Sequence, residues 1–365
     1  MIERTKNKFN AINEKYGRYF PVAFFVFGFI FDIVAIQRVD DFFGIVQQAL
    51  YLVVTALVIA TELVETQKEV VPPRWLAKFW PHRELLLQFL FGSLLNVYTI
   101  FYFKSASAFT SIAFILVMVV IITANEFKKF GKYQTHVHVG ILSLCLISFL
   151  GIVCPIVIGY IGLIPFLCAN LIAWCLMVLY QRWLKPKMQV NLSVMRSHVL
   201  IPFATVQTVF VLLYILRVLP PVPLSASYMG IYHDVQKASG EYALTYTRPD
   251  HLFWQRGDQT FYARPGDTIY CFVRIFAPAR FKDELQVRWL FKDPKHGWQS
   301  HDAIPLPIVG GRDAGYRGVT KKSNYKPGVW RVQVETTDGR EVGRINFEVI
   351  KDDSTEPRDV KVSIQ

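Results

Sequence analysis

The sequence predicts a membrane all-α bundle of about seven transmembrane helices, followed by a C-terminal all-β domain. Three observations predict this fold class. Apolar residues make up 52% of the chain, more than in most soluble domains. They cluster in long blocks between Tyr19 and Leu219, and each block is long enough for a membrane-spanning helix. Beyond Leu224 apolar and polar residues alternate, which is typical of half-buried strands.

The helical part is divided into spans by length, since a helix crossing the hydrocarbon core needs roughly 20 mostly apolar residues. The first span contains Asp32 and lacks a small-residue cleavage site, so we interpret it as an uncleaved anchor. Between the fifth and sixth spans, Pro155 and Gly159 favour a tight turn, and one long kinked re-entrant segment is the alternative. The seven predicted spans are Tyr19–Ile36, Phe43–Thr61, Leu85–Phe103, Ala106–Thr123, Val137–Pro155, Tyr160–Tyr180 and Val199–Leu219.

Orientation follows from the loops. One alternating set of loops, together with the N-terminal tail, carries sixteen Lys and Arg, and the other set of short loops carries two. The positive-inside rule therefore places the N-terminus in the cytoplasm and, after seven crossings, the C-terminal domain outside. Most of the net charge of +12 belongs to these loops. The basicity thus has a topological origin, and we predict the lipid bilayer, and no nucleic acid, as a partner.

Polar residues inside the predicted spans are candidate functional groups, because burying them in lipid is costly. The candidates are Asp32, Asn96, Asn170 and Gln207. The three amides are also the kind of residue that bonds neighbouring helices. Convergence of all four on one cavity would indicate a transporter or a membrane enzyme.

Other ionisable groups lie at span ends. Glu62 and Glu65, at the inner end of the second span, are expected to be solvated. His136 and His138 are two residues apart, about 200° around a helix, so they are poor joint metal ligands and are expected to lie at the interface. The segment Trp75–His82 is interpreted as an interfacial loop rather than a partner-binding helix.

The C-terminal domain shows a period of two. In Leu285–Phe291 the apolar side chains face one way and Gln286 and Arg288 the other, and Trp330–Glu335 repeats the pattern. Asp338-Gly339 suits a tight hairpin. Roughly seven strands over about 120 residues predict an immunoglobulin-like sandwich. The segment Tyr228–Gly240 is expected to hold at most one short helical turn.

A family resemblance rests on four features of this domain: RWLF, then GYRGVTKKS, then GVWRVQV, and finally Asp-Gly before a closing NFEV. With these features, the stretch Gln286–Ile350 resembles an uncharacterised bacterial domain family of unknown function (DUF2914-like). Members of that family with several N-terminal spans occur in Gram-negative bacteria. The resemblance implies the bacterial inner membrane and a periplasmic C-terminal domain, and it implies no activity.

The resulting domain plan has five parts. They are a cytoplasmic basic tail (1–18), the seven-helix transmembrane domain (19–219), a Pro-rich linker (220–227), the periplasmic β-sandwich (228–351) and a polar C-terminal tail (352–365). The sandwich contains a single cysteine, Cys271, so it has no internal disulfide.

No motif predicts catalysis, a metal site or a cofactor. The leading hypothesis is a non-enzymatic protein whose sandwich binds an envelope protein, an acidic glycan or lipid headgroups. The alternative is a membrane-embedded transporter or enzyme with the β-domain as an accessory lid or substrate-delivery module, and a sensor with a cytoplasmic partner is a third. Candidate partner-binding residues combine aromatic and basic side chains: Trp298, Arg312, Tyr316, Arg317, Lys321, Lys322 and Tyr325.

Overall fold

The computed structural model describes residues 40–65, 77–78, 80–105, 134–188, 195–238, 240–247, 256–311 and 315–365. The chain divides into two compact units. The first contains Met1–Phe101, Phe114–Cys154 and Ile164–Ile215, and the second Tyr102–Ala113, Pro155–Leu163 and Leu216–Gln365. The predicted spans Tyr19–Ile36 and Ala106–Thr123 lie outside the described residues, as do Asp32 and Arg312.

Five apolar helices correspond to the other predicted spans. They are α1 (Phe42–Glu65), α2 (Arg83–Lys104), α3 (Gln134–Ile158), α4 (Leu163–Met188) and α5 (Ile201–Ile215). A 3₁₀ turn, Trp80–His82, precedes α2, and a π-helical turn, Arg196–Leu200, precedes α5. With these turns, each helix in the described part of the chain is long and apolar enough to cross a membrane.

Helix ends follow local chemistry. The Asp41 carboxylate accepts a hydrogen bond of 2.8 Å from the Gly44 amide and so caps the start of α1. Between α3 and α4, Gly159 adopts a φ of 92° in a short turn, so the predicted tight turn is present. Helix α5 ends at Ile215, before its predicted end at Leu219, because Arg217 has a φ of 59° and cannot continue a right-handed helix.

The C-terminal domain is all-β and contains three sheets. Its strands are β1 (Ser225–Tyr232), β2 (Asp234–Ala238), β3 (Glu241–Tyr246), β4 (Arg256–Gly257), β5 (Thr260–Ala263), β6 (Ile269–Phe276), β7 (Lys282–Asp293), β8 (Gly297–Val309), β9 (Tyr316–Lys322), β10 (Gly328–Thr336), β11 (Glu341–Lys351) and β12 (Lys361–Ile364). The sheet orders are β4-β1-β6-β9, β5-β11-β10-β7-β8 and β12-β3-β2. Described pairings are antiparallel except β1 with β4 and β5 with β11.

The first two sheets enclose one apolar core and thereby form a sandwich. Leu285, Val287 and Trp289 of β7 are fully buried in this core, while Gln286 and Arg288 between them are partly exposed. The faces predicted for Leu285–Phe291 are therefore confirmed. In β10, Trp330, Val332 and Val334 are buried as predicted, while Glu335 is 4% exposed because Gln286 and Arg288 cover it.

A third layer covers the other face of the first sheet. Its core consists of Tyr232, Leu244 and Phe272, with four further tyrosines packed around them. The short helical turn that the sequence allowed in Tyr228–Gly240 is absent from the described residues of this segment, which form β1 and β2. The tyrosines of β1 and β3 pack against one another and against Phe272 of β6, so their burial depends on contacts between strands. The estimate of roughly seven strands was too low, because the strands of the third sheet lack a clear alternation of apolar and polar residues.

Two segments outside the predicted sandwich belong to the fold. Leu224 is fully buried in the main core and β1 begins at Ser225, within the predicted linker. In the predicted polar tail, Asp352 forms an ion pair of 2.7 Å with Arg264, and Arg358 pairs with Asp267. The chain then continues into β12, which pairs with β3.

Candidate binding surface of the C-terminal domain

The outer face of the second sheet presents a row of long polar side chains. Strand registry places Arg331 of β10 between Leu290 of β7 and Asn346 of β11. Trp298 of β8 lies opposite Lys292 at the next outward position of the sheet. Because side chains on one face of a sheet are neighbours across strands, four strands contribute to one continuous surface, which we call the Trp298 face.

Arg331 occupies the centre of the Trp298 face. Its guanidinium carbon lies 3.9 Å from the centroid of the Trp298 ring, a cation–π contact. Its Nε donates a hydrogen bond of 2.9 Å to the Asn346 side-chain oxygen. Burial and the nearby Arg344 guanidinium lower the pKa of Arg331 from its usual value. The ring and the amide therefore orient a cation whose charge is partly desolvated.

Neighbouring arginines on this sheet have carboxylate partners. Arg288 pairs with Glu335, which also accepts a hydrogen bond of 2.8 Å from Gln286. Arg344 pairs with Glu341 at 2.6 Å. Within the described part of the chain, no carboxylate oxygen lies within 4.0 Å of the Arg331 guanidinium nitrogens. Arg331, held by Trp298 and Asn346, and the exposed Lys292 opposite Trp298 are consequently the cations on the Trp298 face that can receive an external anion.

Lys322 does not belong to the exposed basic cluster predicted around GYRGVTKKS. It is 3% exposed, and its ammonium group pairs with Asp302 of β8. It also contacts His301 Nδ1 at 3.1 Å and Asn324 Oδ1 at 3.0 Å. The prediction of partner binding through Lys322 was wrong because its strand alternation directs it inward, where Asp302 neutralises its charge.

The other described candidates of that cluster have different neighbours and do not form one joint surface. The Tyr325 hydroxyl donates a hydrogen bond of 3.0 Å to the Asp267 carbonyl, and Tyr316 packs against the main core. Arg317 donates a hydrogen bond of 2.8 Å to the Gly240 carbonyl, which ties β9 to the β2–β3 turn. Lys321 is exposed. Of the candidate set, Trp298 alone lies on the face centred on Arg331, among the residues the structure describes.

Asn96, Asn170 and Gln207 are the described polar candidates of the helices, while Asp32 lies outside the described residues. Gln207 of α5 donates to the Asn170 backbone and side-chain oxygens at 3.1 and 3.3 Å, so these residues join α4 and α5. Asn96 is buried on α2. The side chains of Asn170 and Gln207 thus bridge two helices, which is the alternative role that the sequence left open for them.

One expectation about span ends, that for His138, was wrong, and another was met only in part, since Glu62 and Glu65 are 21% and 24% exposed but have partners. Glu62, expected to be solvated, lies 2.8 Å from the Nδ1 atom of His138, and Glu65 pairs with Arg83. His138 was expected at the interface but is 2% exposed. The helical rotation that separates it from His136 turns it into the bundle, where its ring meets Glu62 of α1.

Comparison with known proteins is informative for part of the C-terminal domain. Residues 282–349 match the model of a family described as a protein of unknown function (DUF2914). No curated protein matches the chain.

Solved structures that resemble the chain include an immunoglobulin-like protein from Pseudomonas aeruginosa, with 14% identity, 35% of this chain and 98% of that chain covered, and a TM-score of 0.22. A β-glucosidase from Listeria innocua in complex with gluconolactone has 13% identity, a TM-score of 0.19, and 31% of this chain and 17% of its own covered. A β-glucosidase involved in saponin metabolism from intestinal bacteria has 10% identity, a TM-score of 0.20, and 35% of this chain and 16% of its own covered. From β7 almost to the end of β11, the C-terminal β-sandwich thus carries the signature of the DUF2914 family of unknown function.

Proposed function

We propose that this chain is a non-enzymatic protein of the bacterial inner membrane whose periplasmic β-sandwich binds an acidic glycan of the cell envelope. The observation that carries the proposal is Arg331, which Trp298 and Asn346 hold in place on an open sheet face. A carboxylate of the glycan would accept hydrogen bonds from the Arg331 guanidinium and complete the ion pair that neighbouring arginines have within the domain.

Membrane insertion is supported by apolar surface. Helix α1 exposes Phe43 at 80% and Leu50 at 58%, and α4 exposes Leu171 at 65%. Apolar faces of this extent are unfavourable in water and suit a lipid environment. Together with the two predicted spans outside the described residues, these five helices would give seven crossings. The charge asymmetry of the loops then places the N-terminus in the cytoplasm and the C-terminal domain in the periplasm.

The ligand class follows from the chemistry of the Trp298 face. Burial is the larger cause of the lowered pKa of Arg331 and the Arg344 charge adds to it, so an anion would offset the positive charge that these two guanidinium groups share. The amides of Gln333 and Asn346, which alternate outward on β10 and β11, offer both donors and acceptors to hydroxyl groups. A partly exposed indole beside them supplies an apolar contact surface. A carboxylated sugar chain satisfies all three.

The test measures binding to the full chain in nanodiscs of zwitterionic phosphatidylcholine. The probe is oligogalacturonate, a carboxylated oligosaccharide, and maltooligosaccharide of equal length is the neutral counterpart. We expect oligogalacturonate alone to bind, and Arg331→Gln to weaken it by about tenfold or more. Lys351→Gln is the matched control, because it removes one positive charge from an exposed position on β11.

Three results would contradict the proposal. Equal binding of both oligosaccharides would remove the role of the anion. An equal loss in both variants would show nonspecific attraction to a basic domain. Binding only to vesicles that contain anionic phosphatidylglycerol would identify a lipid surface as the partner.

The alternative, a transporter or enzyme built around the predicted intramembrane amides, receives no support from their geometry. Asn170 and Gln207 use their side chains to join two helices. An amide committed to a neighbouring helix is a poor component of a permeation pathway.

A further inference from the structure

Two arginines lie directly opposite each other on the first sheet of the sandwich, on the side that the third sheet covers. Strand registry pairs Arg274 of β6 with Arg317 of β9, and Tyr228 of β1 lies on the other side of Arg274. Side chains at such paired positions share one face of the sheet, with their Cβ atoms about 5 Å apart. Like charges directly opposite each other are destabilising, so this face carries a local excess of positive charge that an anion would offset.

Both arginines are oriented by neutral partners. Arg274 Nη2 donates a hydrogen bond of 2.6 Å to the side-chain oxygen of Gln365, and Arg317 Nη1 donates one of 2.8 Å to the Gly240 carbonyl. The Arg274 guanidinium carbon also lies 5.6 Å from the centroid of the Tyr228 ring. In the part of the chain that the structure describes, neither guanidinium group has a carboxylate within ion-pair distance. The two side chains are therefore held in place while their charges stay open to an external anion.

The two guanidinium groups are held at the same end of the third sheet. Gln365, the residue after β12, exchanges two backbone hydrogen bonds of 2.9 Å with Tyr242 of β3, and Gly240 lies two residues before Tyr242. Arg274 and Arg317 are both partly exposed. Among the described residues, Nη1 of Arg274 and the Nε and Nη2 atoms of Arg317 have no acceptor and are not buried. Donors from two side chains thus remain available to one ligand.

From this geometry we propose that Arg274 and Arg317 together bind the phosphate group of a soluble phosphate monoester. A phosphate monoester carries nearly two negative charges and three acceptor oxygens at neutral pH, which match two guanidinium groups. A carboxylate has one charge and two oxygens, which a single arginine satisfies in a bidentate pair. The site lies on the first sheet, whereas the Trp298 face belongs to the second, so this proposal does not depend on glycan binding.

The test is isothermal titration calorimetry on the full chain in phosphatidylcholine nanodiscs, at fixed ionic strength and at about pH 7.5, where the monoester is mostly a dianion. The probe is methyl phosphate, and acetate is the singly charged counterpart. Arg317→Gln removes one proposed contact from a partly exposed position, and Arg274→Gln removes the other. Arg256→Gln is the matched control, because it removes an exposed arginine from β4 of the same sheet.

We expect methyl phosphate to bind at least about tenfold more tightly than acetate. Arg317→Gln and Arg274→Gln should each weaken methyl phosphate by about tenfold or more, and the Arg256→Gln control should bind as the unchanged protein does. No binding of millimolar methyl phosphate to the folded protein, equal binding of acetate, or an equal loss in the control would overturn the proposal. If Arg274→Gln fails to fold, Arg317→Gln decides the result alone.

Discussion

Substitutions at the buried pair of Lys322 and Asp302 should have unequal effects on stability. The Lys322 side chain is 1% exposed, whereas the Asp302 side chain is 37% exposed. Asp302→Ala leaves the ammonium group inside the domain without its carboxylate. Lys322→Met leaves Asp302 able to reach water and places a side chain of similar length beside Trp330, whose ring lies 5.0 Å from the ammonium nitrogen.

The magnitudes follow from this asymmetry. Breaking a buried ion pair by removing one partner costs about 3–5 kcal/mol. Because Asp302 is partly exposed, water can enter in its place, and we expect Asp302→Ala to cost about 2–3 kcal/mol. Lys322→Met should cost about 0–1 kcal/mol, because the Asp302 side chain that it leaves without a partner is 37% exposed and stays solvated. The double variant should match Lys322→Met.

The assay is urea unfolding of the fragment Leu224–Gln365, followed by far-ultraviolet circular dichroism, with all four members of the double-mutant cycle compared. A cooperative transition of the unchanged fragment is the first requirement, and we expect it because the two main sheets share one core. If Lys322→Met costs as much as Asp302→Ala, Lys322 is not a buried charge that depends on this carboxylate.

Three further predictions concern the same fragment. Burial and the Arg358 guanidinium lower the pKa of His233 to about 4. As the pH falls from 6.5 to 4, His233 therefore gains a proton in the unfolded chain but not in the folded domain, and the free energy of unfolding should drop by up to about 3 kcal/mol. In urea titrations, His233→Gln should remove this dependence of stability on pH. Cys271 is fully buried and burial raises its pKa, so a thiol reagent should label it only as the domain unfolds; fast labelling of the folded fragment would count against this. Asp352→Ala removes the ion pair with Arg264 and should speed amide exchange in β12, where unchanged protection would show that the pairing with β3 suffices.

The parts of the fold that could be predicted are those with a strong local period. Apolar length predicted the five helices to within about four residues at each end, except that α4 ends at Met188 rather than at Tyr180. Alternation predicted the faces of β7 and β10. The third sheet could not be found this way. Its contact surface is made largely of tyrosines, such as Tyr228, Tyr242 and Tyr246, and a tyrosine indicates neither burial nor exposure by its type alone.

The site could be predicted only in part, because residues on one sheet face become neighbours through strand registry. Alternation already indicated that Arg331 and Gln333 face outward. It did not indicate that Trp298, on a different hairpin, would lie over Arg331, because that contact depends on the pairing of β7 with both β8 and β10. An aromatic and an arginine from distant strands become a joint candidate only when the registry is known.

The same physical rule explains why the basic segment was misread. Lys321 and Lys322 are adjacent in sequence and were grouped by charge, yet neighbours on a strand point to opposite faces. A period of two on β9 places Lys322 with Gly318 and Thr320, and all three are buried. Lysine at an inward position requires a nearby anion, and that anion comes from Asp302 on another sheet. An inward lysine in an alternating strand therefore predicts a carboxylate contact, and the search for an exposed binding site should begin with the outward residues of the same sheets.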